Sequence, residues 1–142
     1  MTPSVSAPIE LLRRFAPGTP LRSTSVDGPI ILHEFFHGVS NRLTGGPANV
    51  SALQNLQSRG MGEGWGDWFA NVLTIKPGDT PFTPRAIGQW VLGETLTGLG
   101  VRRFPYSTDM SVNPLTLGDY NGDVFPQQNN SEVHNSGEIW AS

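Results

Sequence analysis

Apolar residues along this chain fall twice into helical spacing. From Ile30 to about Leu43, steps of roughly 100° per residue gather Leu32, Phe35, Phe36, Val39 and Leu43 on one stripe, with His33 and His37 together on the other side. Gly45-Gly46-Pro47 then stops the helix, as a glycine past the end and a proline beyond it usually do. A second pattern runs from near Met61 to about Ile75, ahead of the breaker Lys76-Pro77-Gly78. On it Glu63 and Asp67 share one face, while Trp65, Trp68, Phe69 and Val72 take the opposite side.

Gly62, Gly64 and Gly66 alternate through the first turns of that second helix. Each interior glycine costs about 0.5–1 kcal/mol relative to alanine, so something must offset the loss. Close approach of the first helix would do so, because absent Cβ atoms let two backbones come nearer than the usual 8–10 Å. Elsewhere the pattern weakens. Residues 1–25 read as a Pro-rich tail, and the proline cluster Pro3, Pro8, Pro17, Pro20 continues to Pro29. Residues 26–142 hold the packed part. Arg85 to Leu96 fits a helix or two strands, and Gly98 to Asn129 is turn-rich. A third helix opens near Ser131, capped by Asn130 or Ser131, and the sequence stops inside it at Ser142. The expectation is a mainly α fold with the two longer helices packed together and long Gly/Pro-rich loops.

Composition narrows the chemistry. A length of 142 residues with 37% hydrophobic and 15% charged suits one domain. There is no cysteine, so disulfides and thiolate metal sites are excluded and any metal must be held by imidazole and carboxylate. The formal charge is -3, and no basic run exceeds Arg13-Arg14 or Arg102-Arg103, which argues against nucleic acid as a partner. No apolar run approaches the roughly 18 residues of a membrane helix, and Met1 to Phe15 lacks the order of a secretory leader.

His33-Glu34-Phe35-Phe36-His37 is an H-E-x-x-H segment within a helical pattern. Spacing i to i+4 brings two imidazoles about 5–6 Å apart on one face, which suits one Zn²⁺. Glu34, about 100° round the helix, is angled towards a water on the ion rather than the ion itself, the place of a general base. A catalytic site of this kind needs a third protein ligand and an open position. Glu63 fits best, since it lies behind the glycines that permit close approach. Asp67, one turn on, can accept the other ring N–H of a ligating histidine and fix its tautomer.

The runs HEFFHGVSNRLTGGP (His33 to Pro47) and GMGEGWGDWFAN (Gly60 to Asn71) closely resemble the fungalysin family of secreted zinc metalloendopeptidases, whose catalytic fold is similar to thermolysin. The resemblance extends to VRRFPYSTDMSVNPLT (Val101 to Thr116) and EVHNSGEIWA (Glu132 to Ala141). It implies that residues 26–142 are part of such a thermolysin-like catalytic domain, truncated at the C-terminus, with zinc as cofactor, His33, His37 and Glu63 as its ligands, and Glu34 as base. It also implies an oxyanion-stabilising role for His134, which otherwise reads as a helix-start histidine paired with Glu138 at i+4. Arg103 and Tyr106 are weaker candidates for substrate contacts. The implied partners are protein or peptide substrates, with an inhibitory propeptide outside this chain, and neither nucleic acid nor membrane; the implied location is extracellular. The rival expectations are a truncated, catalytically inert zinc-binding fragment of such a protease, and an aminopeptidase using the same ligands.

Overall fold

The computed structural model describes residues 22–49, 51–121 and 132–142. Three helices carry the fold: α1 (Gly28–Leu43), α2 (Leu56–Leu73) and α3 (Val133–Ala141). Short 3-10 turns at Thr24–Val26 and Leu117–Asn121 accompany them. Among the described residues the only β pairing is a single antiparallel bridge between Arg85 and Tyr106. The mainly α expectation therefore stands, and α2 is the central element, with α1 and α3 both packed on it.

Both long helices start earlier than their apolar periodicity suggests. α1 begins at Gly28, because Pro29 fits the first turn, where an N–H would have no partner anyway, and Asp27 caps it by accepting from Ile30 N. The same buried carboxylate accepts from Val91 N at 3.1 Å, tying the helix start to the returning chain. α2 begins at Leu56, through a polar first turn in which no apolar rhythm announces a helix. The cap of α3 is Glu132, whose side chain accepts from the backbone of His134 and Asn135. Asn130 and Ser131, the caps expected from sequence, lie outside the described residues.

The buried side of α1 is the imidazole side. His33 and Ser40 are its buried residues, while Phe35 and Leu43 on the apolar stripe stay 63% and 79% exposed. Only the flank of the stripe nearest α2 is covered: Phe36 stacks face to face on Phe69, centroids 3.9 Å apart. α2 likewise turns its glycines inward, burying Gly60, Gly62, Gly64 and Gly66 with Asp67 and Ala70, and leaves Trp68 48% exposed.

The glycines have separate partners. A Cβ on Gly66 would lie 2.7 Å from His33 Nδ1, so this position admits α1, as expected. A Cβ on Gly64 would lie 2.7 Å from the Gly137 carbonyl and 2.8 Å from Trp140 Cβ, and one on Gly137 would lie 2.6 Å from Glu63 Cβ. That crossing admits α3, a contact the alternating glycines did not announce.

Residues between Pro81 and Asn121 form neither the helix nor the strands considered for Arg85 to Leu96, but linked turns with positive φ at Gly88, Gly93 and Gly100. At Gly100 a side chain would also collide with the Ile87 carbonyl, 2.1 Å from an ideal Cβ. The turns fold back on α2, where Ile87 and Tyr106 close a core around Ala70 with Ile30, Leu32, Val101 and Ala141 packed against it.

Gly64→Ala should destabilise by about 2 kcal/mol, roughly 7 °C in melting temperature, since overpacking outweighs the gain in helix propensity. Gly28→Ala, with nothing within 4 Å of its Cβ, should be neutral or stabilising. Equal melting temperatures for the two variants would contradict the close α2–α3 crossing.

Candidate metal centre

Helical spacing on α1 brings the His33 and His37 rings edge to face, centroids 4.5 Å apart, with their Nε2 atoms 2.9 Å from each other. α2 delivers Glu63 to the same point: its Oε2 lies 3.1 Å from His33 Nε2 and 3.3 Å from His37 Nε2. From the start of α3, His134 adds a third Nε2 at 3.2 Å from that oxygen. His134 is half-exposed, and its Nδ1 is held by Glu132 at 2.6 Å. The surface pair with Glu138 that its position on α3 suggested does not form. Glu138 is buried and accepts instead from Arg103, through the backbone N–H at 2.8 Å and Nε at 2.5 Å.

Glu63 Oε2 is buried, yet no hydrogen-bond donor is aligned on it. A carboxylate oxygen and three imidazole nitrogens thus face one another, with Nδ1 of the His33 and His134 rings turned away to Asp67 and Glu132. Such a cluster calls for positive charge between its members. His33, His37 and Glu63 form a group able to hold a metal ion, and their two nitrogens and one oxygen, without sulfur, suit a borderline divalent cation.

The electrostatics agree. Burial pulls the His33 imidazole down, but the Asp67 and Glu63 carboxylates more than offset it and lift its pKa to about 9, so a proton occupies this ring when no cation does. Burial pushes the Glu63 carboxyl up, and the imidazoles of His33, His37 and His134 overcome that to hold it well below the usual carboxylate range.

Behind the cluster Asp67 is 1% exposed and accepts four hydrogen bonds. His33 Nδ1 and Arg102 Nη2 reach Oδ1 at 2.7 and 2.9 Å; Arg102 Nε and the Tyr106 hydroxyl reach Oδ2 at 2.6 and 2.5 Å. Tyr106 is therefore 7% exposed, with its hydroxyl spent on Asp67 behind the histidine. Arg103, the other expected substrate contact, is committed to Glu138 and to the Asn135 carbonyl. Arg102 and Glu132 are the site residues that sequence reasoning missed.

Glu34 is exposed on the adjacent face of α1 and lines a hollow of about 420 Å³ with Phe35, Gly38, Val39 and Arg42. It makes no hydrogen bond or ion pair with the described residues, so its carboxylate is free to act on solvent.

A helical H-E-x-x-H pair met by a glutamate from the next helix is the form this site takes. Residues 3–142 match the model of the fungalysin metallopeptidase family, and the chain belongs to that family. It is 43% identical over 123 residues to extracellular metalloproteinase 2 of Arthroderma gypseum. It is 44% identical over 124 residues to the extracellular metalloproteinases of Aspergillus fumigatus and Pyrenophora tritici-repentis. In each case the match covers 87% of this chain and 18% of the relative, so the chain spans less than a fifth of the length of these proteins.

Burial raises the Asp67 carboxyl, but His33 and Arg102 bring it down to about 2, against 3.8 for an ordinary aspartate. A depressed folded pKa contributes stability that is complete above the unfolded value and fades as pH falls from about 4 to about 2. Acid titration of stability should therefore lose close to one proton of uptake across that window in Asp67→Asn. An unchanged slope would contradict the buried, ionised Asp67.

Proposed function

We propose that this chain carries the zinc centre of an extracellular metalloendopeptidase, and that the buried Glu63 oxygen among three imidazole nitrogens is the observation that carries this reading. His33, His37 and Glu63 hold the ion, with Asp67 fixing the His33 ring through Nδ1. Zinc, when bound, supplies a Lewis acid that polarises the scissile carbonyl and makes a nearby water easier to deprotonate. The Glu34 carboxylate, exposed and uncommitted, takes the proton from that water and returns it to the leaving amine. His134, held through Nδ1 by Glu132 beside the cluster, stands where it can stabilise the carbonyl oxygen as charge develops there. The substrates are proteins and peptides outside the cell, a location supported by the names of the relatives. An inhibitory propeptide is a further partner in this reading.

One observation favours a second reading, an inert zinc-holding piece. The chain spans less than a fifth of the length of the relatives it matches, so the parts of such a protease that seat a substrate need not lie within it.

Elemental analysis and cleavage of an internally quenched peptide decide between them. The protease reading expects close to one zinc per chain and chelator-sensitive cleavage. In Glu34→Gln zinc is retained and the rate falls by roughly 10²–10⁴-fold. Full hydrolysis by Glu34→Gln refutes the mechanism, whereas one zinc without cleavage selects the inert piece, and cleavage only from a free amino end selects an aminopeptidase.

A further inference from the structure

Orienting one imidazole takes one carboxylate oxygen, yet Asp67 is bonded at all of its roughly four lone-pair positions. The extra donors come from far along the chain, Arg102 being 35 and Tyr106 39 residues beyond Asp67. Left to itself an aspartate carboxylate rotates easily about its terminal torsion. The Arg102 fork, Nε on Oδ2 and Nη2 on Oδ1, fixes the carboxylate plane. The Tyr106 hydroxyl then occupies the remaining position on Oδ2.

Tyr106 is itself immobilised. Its backbone exchanges hydrogen bonds with Arg85 at 2.9 and 2.7 Å, and its ring belongs to the core cluster with Ala70 and Ile87. A rigid line of contacts therefore runs from the core through Tyr106 to Asp67, and from Asp67 Oδ1 to His33 Nδ1, leaving His33 Nε2 to face Glu63 and His37. The guanidinium also balances the charge of a carboxylate that water scarcely reaches, so Asp67 can stay ionised and act as the acceptor.

We propose that Tyr106 and Arg102 are positioning residues for the metal centre, setting the rotation of the His33 ring through the plane of the Asp67 carboxylate. The inference rests on the reading of His33, His37 and Glu63 as ligands. A merely structural role, pinning the loop of residues 98–106 to α2, would alter stability and leave the ion's surroundings alone.

Tyr106→Phe removes one hydroxyl and keeps the ring that fills the core. Titration of the full chain with Co²⁺ against a chromophoric chelator at neutral pH gives the affinity, and the visible cobalt spectrum reports the ligand geometry. Tyr106→Phe should bind Co²⁺ roughly 3- to 10-fold more weakly with shifted visible bands. Arg102→Lys, which keeps the charge but loses the fork, should bind more than about 10-fold more weakly. A Tyr106→Phe protein with parental affinity and spectrum and only a lower melting temperature overturns the proposal, and this variant decides alone if Arg102→Lys does not fold. If the parent binds Co²⁺ no better than His33→Ala, the ligand reading itself fails and takes the proposal with it. Parental binding combined with an indifferent Tyr106→Phe rejects the proposal only.

Discussion

Everything distinctive about this molecule turns on one buried oxygen. Glu63 Oε2 lies 3.1–3.3 Å from three imidazole nitrogens without an aligned donor. Buried polar atoms are otherwise almost always satisfied, because an unpaired one carries its full desolvation penalty. A cation at that point satisfies the carboxylate and binds the facing ring nitrogens together, which is why the cluster reads as a metal site and not as a chance meeting of side chains.

The fold is arranged to make that meeting possible. α2 presents a nearly bare backbone on its buried side: Gly66 makes room for the His33 ring, and Gly64 with Gly137 lets α3 approach close enough to bring His134 over Glu63. The helix propensity given up at these glycines is recovered in packing that no side chain could share. The returning turns between Pro81 and Asn121 contribute from the other direction, through the Asp67 hub and the small core around Ala70. Stability and site geometry are thus supplied by the same contacts.

What could be read in advance follows from distance along the chain. His33 and His37, one turn apart, and Glu63 and Asp67, on one helical face, are local patterns, and the glycine alternation pointed to close packing with α1, though not with α3. Helix starts were less legible, since Pro29 reads as part of a proline-rich approach and the first turn of α2 is polar. The bonds of Arg102 and Tyr106 to Asp67 left no trace, and Tyr106 was singled out for a substrate contact instead, because a loop residue that crosses more than thirty positions to reach Asp67 has no period to betray it. Glu132 was hidden for another reason: aspartate, asparagine, serine and threonine are the expected caps, and a glutamate doing that work while also holding His134 falls outside the usual signature. α1 departs in part from the ordinary rule that apolar stripes face inward: Leu32 and Phe36 pack inward while Phe35 and Leu43 stay exposed, because the imidazole pair shares the face turned to α2.

Zinc K-edge X-ray absorption on the zinc-loaded chain and on Glu63→Ala tests the central claim most directly. The account predicts a first shell of nitrogen and oxygen at about 2.0–2.1 Å with the outer-shell scattering of imidazole rings, and loss or reorganisation of that shell in the variant. A zinc environment that is the same with and without Glu63 would contradict it.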